Sequence, residues 1–219
     1  GTVSLSAFTT KAAVLALIRG FPGAEVLIPV GLGMIVYGTL YAASASDVRR
    51  LLSYALVAQL GFMVTATGIG SDLALTGAAA HAVASIFYQA LLFMAAGSVV
   101  VMTGKSDCAE LGGLWRSMPV TAAAAVVGAL AIAAFPLTSG YVAKSMIVDA
   151  IAADGSAVAW FVVTAGTAGV VLHAGLRLPW SVFFGDGDAR VTSRDPPLGM
   201  RLAMVFLAIV TLGLGLFPS

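Results

Sequence analysis

Seven apolar runs, at about 3–19, 26–44, 49–69, 73–102, 118–151, 156–180 and 198–217, set the terms of any fold for this chain. A helix needs roughly 20 residues to cross the hydrocarbon core of a bilayer, and each run reaches or approaches that length. Lipid offers no water to backbone groups, so spans that are not closed barrels are helices bonded within themselves. Between the runs the sequence turns polar or helix-breaking: "RGFPGAE", "SASD", "GIGSD", "TGKSDCAELGGLWRSMP", "AADGS" and "FFGDGDARVTSRDPP". Composition agrees, with 60% hydrophobic and only 10% charged residues, against about 25% charged in a soluble domain. In water such a chain would expose more apolar surface than a soluble protein carries. The expected class is an all-α polytopic membrane protein of about seven transmembrane helices.

The basic residues orient it. If seven helices alternate sides, Arg49, Arg50, Lys105, Arg116, Arg177, Arg190, Arg194 and Arg201 fall in one set of loops, and Arg19 alone in the other. The positive-inside rule makes the first set cytoplasmic. The first segment then starts inside and the C-terminus lies outside. A net charge of +1 gives no reason to expect nucleic acid as a partner. The single cysteine, Cys108, forms no internal disulfide, and no His/Cys cluster suggests a metal. Nothing calls for a cofactor. The chain opens on Gly1, inside an apolar segment and without a signal-peptide pattern. The expectation is that further residues precede it.

Two basic residues lie inside apolar runs, Lys11 and Lys144, while all ten acidic residues sit in loops or close to helix ends. The run 118–151 would be roughly 50 Å long as one helix, against a hydrocarbon core of about 30 Å. Pro136 breaks it, because proline lacks a donor and clashes with the preceding turn. Thr138, Ser139 and Gly140 follow with two hydroxyls and a permissive backbone. A helix interrupted at membrane depth requires protein or a water-filled cavity around the freed groups. Lys144 stands one turn past the interruption. It reads either as a proton-exchanging station or as a lysine snorkelling to a headgroup.

Lys11, in "SAFTTKAAVLALIRG", has Ser6, Thr9 and Thr10 beside it, and reads as intramembrane or interfacial. In "AAAHAVASIFYQALLFMAAGSVV", His81, Ser85 and Gln89 recur every four residues and share one helix face. Histidine relays protons near neutral pH; serine and glutamine hold water but not charge. The same stripe also suits plain interhelical hydrogen bonding. Asp47 in "SASDVRRLL" reads as an N-cap, with Arg49 and Arg50 at the cytoplasmic boundary. His173 reads as interfacial or packed. The many glycines and alanines indicate close helix packing, since no phosphate-binding glycine pattern occurs.

Taken in order, "DVRRLLSYALVAQLGFM", "HAVASIFYQALLFMAAGSVV", "ELGGLWRSMP" and "FPLTSGYVAKSMI" resemble the core of the antiporter-like proton-translocating membrane subunits. That family includes the large membrane-arm subunits of respiratory complex I and of Mrp-type multisubunit sodium/proton antiporters. "AFTTKAAVLALIRGFPG" together with "FPLTSGYVAKSMI" is most similar to the Mrp protein MrpD. The resemblance implies a fourteen-helix fold with two inverted five-helix repeats, of which this chain matches the eighth helix onward. By that resemblance, 1–25 ends the linking helix, 26–180 is the C-terminal half-channel repeat, and 181–219 is a cytoplasmic loop and the final helix. Lys11 falls on the lysine linking the half-channels. Arg49 falls on a position that is usually lysine. His81 falls on the first histidine of the eleventh helix, and Lys144 on the charged residue of the broken twelfth.

Where the family commonly has a second histidine and a lysine, this chain has Ser85 and Gln89. Two titratable stations are thus neutral, and the family's first half-channel is absent. The resemblance implies proton movement in exchange for sodium or another monovalent cation, within a larger complex of the cell inner membrane. It implies no covalent enzyme chemistry. Its alternatives are a membrane-arm component of complex I and a structural subunit with a decayed path. A retinal protein with Lys144 as Schiff base lacks the required intramembrane counter-ion.

Overall fold

A computed structural model describes residues 8–186 and 193–216 as helices joined by short connections. In chain order these are α1 (Thr10–Gly20), α2 (Leu27–Ser44), α3 (Val48–Ile69), α4 (Asp72–Thr103), α5 (Pro119–Ile132), α6 (Ser139–Asp154), α7 (Ala157–Val170) and α8 (Leu198–Leu216). Helix α7 runs on through wider π-helical turns at Val171–Arg177 and Trp180–Phe184. Five helices are long and apolar enough to cross a membrane, with α5 a shorter apolar one. The seven expected runs all appear, and the run 118–151 is divided into α5 and α6 where Pro136 requires it. Residues 3–7 of the first run, with Ser6, lie outside the described residues, as does Arg190.

Local chemistry sets most helix ends. Asp47 caps α3, its Oδ1 accepting from the backbone N of Arg49 (2.8 Å) and Arg50 (3.0 Å). Ser71 and Ser156 cap α4 and α7 in the same way. Gly70, Gly104 and Gly155 close α3, α4 and α6 in the left-handed region that glycine adopts freely. The loop after α4 is stitched to the α2–α3 turn, with Val48 N donating to Ser106 O (2.9 Å) and Cys108 N to Ser46 O (2.8 Å).

Helices α3 and α4 form the centre, and α4 touches α1, α3, α5, α6 and α8. Helices α2 and α3 approach closest. A Cβ on Gly31 would meet Thr65 N at 2.5 Å, and one on Gly38 would meet Ala58 N at 2.5 Å, so small residues let the two backbones touch. Large apolar side chains on the rim, such as Leu40, Phe161, Phe206 and Ile209, are exposed. That outward apolar surface suits lipid and leaves the polar residues for the interior.

Candidate functional site

The way α5 ends creates the site. Phe135 N donates to Leu130 O (2.9 Å) and Ala134 N to Ala131 O (3.1 Å). This pair of bonds closes a helix around one left-handed residue, here Ala134 at φ 57°. Leu137 is left-handed as well, at φ 69°. A non-glycine residue in that region costs about 1–2 kcal/mol, so tertiary contacts hold the interruption against local preference. Thr138 Oγ1 donates back to Phe135 O at 2.6 Å. Ser139 is buried, and its hydroxyl has no hydrogen-bond partner among the described residues. Gly140 is needed for contact between the half-helices, since a Cβ there would lie 2.1 Å from Ala131 O.

The closing bonds leave the carbonyl of Ile132 open, and Lys144 Nζ donates to it at 2.7 Å. The lysine is only 4% exposed; it turns toward the interruption and does not reach for a headgroup. At the C-terminal end of α5 an ammonium meets the negative end of the helix dipole. It also lies 5.3 Å from the centre of the Phe62 ring, within range of a cation–π attraction. Its partners are thus a carbonyl and a ring, not a carboxylate.

A second polar group lies on α4. His81, Ser85 and Gln89 are all buried, as a shared face predicts. Gln89 Oε1 accepts from Lys11 Nζ, and Lys11 is itself 4% exposed. His81 Nε2 lies 2.8 Å from Gln59 Oε1 of α3. Tyr88 OH donates to the same oxygen and lies 3.4 Å from both Gln59 Oε1 and His81 Nε2. Ser85 Oγ donates to Ala82 O of its own helix at 2.9 Å. His81 Nδ1, Gln59 Nε2 and Gln89 Nε2 have no hydrogen-bond partner among the described residues. The interior therefore holds a cation at each side, with hydroxyl, amide and imidazole groups between them. Such groups pass protons and bind water; they do not make a nucleophile.

Gln59, Tyr88 and Phe62 do not stand out in the sequence as site residues. Gln59, the lone amide in "YALVAQLGFM", carries a visible signal. Tyr88 has none beyond its place two turns after His81. Arg49 joins no buried group: its side chain is exposed, and its backbone N serves the Asp47 cap. His173 lies on the π-helical part of α7, away from these hydrogen bonds, and its Nδ1 has no partner among the described residues.

In the loops, burial pulls the Asp47 carboxyl upward. Hydrogen bonds from Ser106 and from the Arg50 and Arg49 amides, with the Arg50 charge nearby, outweigh it and hold the group below its ordinary value. Burial pushes the Cys108 thiol up, which keeps it inert. Among the described residues no three His, Cys, Asp or Glu side chains come together as a metal site.

Comparison with known proteins agrees with this geometry. Residues 1–172 match the family described as NADH:quinone oxidoreductase/Mrp antiporter, TM. The chain is 32% identical over 228 aligned positions, 98% of its length, to a probable K(+)/H(+) antiporter A/B subunit of Rhizobium meliloti (strain 1021). It is 36% identical over 129 residues, 59% of its length, to the Na(+)/H(+) antiporter D subunit of Alkalihalophilus pseudofirmus (strain ATCC BAA-2126 / JCM 17055 / OF4). It spans only 23% and 26% of those two proteins. One protein of the Mrp complex from Dietzia sp. DQ12-45-1b superposes with a TM-score of 0.90 at 22% identity, covering 98% of this chain and 50% of that one. That likeness speaks for the fold.

Proposed function

Since the chain belongs to the NADH:quinone oxidoreductase/Mrp antiporter transmembrane family, we propose that it moves protons as one part of a multisubunit monovalent cation/proton antiporter. The observation that carries this reading is the buried Lys144 ammonium on the open carbonyl of Ile132, at the interruption of a membrane helix. A buried lysine held by a carbonyl gives up its proton without leaving an unpaired carboxylate behind, as breaking a buried ion pair would. The names of relatives as potassium/proton and sodium/proton antiporter components support the class. On this reading the exchanged ion is a monovalent cation such as sodium or potassium.

The proposed path enters at Lys11, which receives charge from a preceding half-channel and rests on Gln89. Ser85 and Gln89 hold water between Lys11 and His81; Gln89 lies about 12 Å along α4 from His81. His81, fixed by Gln59 and Tyr88, is the middle station. Lys144 is the exit, releasing its proton when the interruption around Pro136, Thr138, Ser139 and Gly140 hydrates. Arg49 plays a secondary part at the cytoplasmic boundary. Residues 1–25 link to that preceding half-channel, 26–180 form the half-channel of this chain, and 181–219 carry a cytoplasmic loop and the closing helix. The protein sits in the cell inner membrane among its partner subunits, with its C-terminus outside. A membrane-arm place in a complex I-type oxidoreductase would use the same residues.

One observation favours a second reading. Gln89 accepts from Lys11 where a relay would need a second titratable group, which suits a structural subunit whose path has decayed. One experiment separates the two. Lys144→Ala in the full-length protein within its complex abolishes cation-coupled proton uptake into membrane vesicles while the complex still assembles. Unchanged antiport in that variant would leave only the structural reading.

A further inference from the structure

Helix α8 meets the interrupted helix at two points. Before its first turn, Asp195 Oδ1 accepts from Thr121 N (3.1 Å) and Thr121 Oγ1 (2.9 Å), and Oδ2 accepts from Val120 N (3.2 Å). Ser193 Oγ and Ser117 Oγ are 3.0 Å apart beside them. The start of α5 has no side-chain cap from its own Met118, so Asp195 takes the free amides that a helix start leaves open. Near its far end, Gly215 rests on the interruption itself. A Cβ on Gly215 would lie 2.4 Å from Leu137 O and 2.4 Å from the carbonyl carbon of Thr138. Gly213, two residues earlier, has open space at the same place. Thr211, one turn before Gly215 on the same face, is fully buried. Helices α5 and α8 therefore run side by side in one direction, fixed to each other at the start and again at the interruption.

Resting on the assignment of Lys144 as a proton station, we infer that α8 is the element that positions the interruption, with Asp195 and Gly215 as positioning residues for the Lys144–Ile132 contact. Asp195 fixes where α5 begins. Gly215 fixes Leu137 and Thr138, just past where it ends. Between those points the left-handed turns at Ala134 and Leu137 have no freedom to unwind, and Ile132 O stays opposite Lys144. A side chain on Gly215 would push against backbone, which cannot rotate aside as a flexible side chain would. The residues 198–216 lie beyond the stretch matched to the family, 1–172, so this support comes from a part of the chain the family match does not cover.

The test pairs two substitutions on one helix. Gly215→Val and Gly213→Val are made in the full-length protein in its complex, each with Ser139→Cys as a reporter of the interruption. In Gly215→Val, labelling of residue 139 by a water-soluble methanethiosulfonate reagent should rise about tenfold, and the pH at half-maximal transport should move. Gly213→Val should change neither. Equal labelling in the two variants would overturn the inference, and so would faster labelling with an unmoved pH profile. If Gly215→Val fails to assemble, Gly215→Ala gives the same contrast at smaller amplitude. Should the Lys144 assignment itself fail, transport in Lys144→Ala would be normal, and the labelling comparison would still decide whether α8 sets the interruption.

Discussion

Helix α3 closes its start and its end with residues adjacent in sequence, whereas α5 closes both with residues from elsewhere. Asp47 stands immediately before α3 and Gly70 immediately after it. Helix α5 takes its N-terminal acceptor from Asp195, 75 positions on, and one of its C-terminal donors from Lys144, 12 positions on. Helix α2 is intermediate, with Arg177 Nη1 donating to Ala43 O near its end at 2.6 Å. A locally closed helix satisfies its end groups whenever it forms. A remotely closed one satisfies them only in the assembled bundle, and a change in one partner reopens them. The part of the molecule built to change is thus the part whose backbone depends on distant side chains. A lysine that gives up its proton also gives up part of its hold on Ile132.

The largest test of this contrast is Asp195→Ala beside Asp47→Ala. Removing Asp195 orphans two partly buried amides and a hydroxyl, a loss of about 2 kcal/mol. Removing the Asp47 cap costs about 1 kcal/mol. The apparent midpoint of thermal unfolding of the purified complex should therefore drop further for Asp195→Ala. Equal drops would mean that remote closure is no more demanding than local closure.

A smaller effect of opposite sign is expected at Ala134. Glycine relieves the left-handed strain but adds freedom to the unfolded chain, so Ala134→Gly should stabilise by about 0.5 kcal/mol net. The informative readout is transport, measured beside the same thermal midpoint. If the strained turn holds the end carbonyl for Lys144, the stabilised variant transports more slowly. A variant that is both more stable and equally fast would show the strain to be incidental.

The same contrast explains what can be read from sequence. The seven apolar runs, the Asp47 cap and the interruption at Pro136 are legible because each depends on neighbouring residues. The shared face of His81, Ser85 and Gln89 is legible from helical period alone. The acceptors of Lys11 and Lys144 are not. Gln89 reads in sequence as a water-holding residue, not as a partner of Lys11, and a backbone carbonyl such as Ile132 O has no sequence signature. Gln59 and Tyr88 meet His81 only through the packing of α3 on α4. Asp195 looks like part of a polar loop, and its capping role needs the parallel placement of α5 and α8, which no local pattern encodes.

The smallest effect belongs to the locally closed helix, and it is a pH effect. Hydrogen bonds hold the Asp47 carboxyl below its ordinary value in the folded protein despite burial. Its contribution is therefore complete above the ordinary carboxylate pKa, near about 4, and is lost as pH falls through the lower folded value. Asn caps a helix about as well as Asp but cannot titrate. Asp47→Asn should leave the thermal midpoint at about pH 7 almost unchanged and flatten its decline below about pH 4. The cleft around Asp47 opens beside Ser44, Ser46, Arg50 and Tyr54, with a volume of about 370 Å³, so solvent screens the charge and keeps the effect well under about 1 kcal/mol. A midpoint that already falls at neutral pH in Asp47→Asn would mean that the charge itself, and not the acceptor, holds the start of α3. Local closure would then depend on the neighbouring Arg50 much as remote closure depends on Asp195.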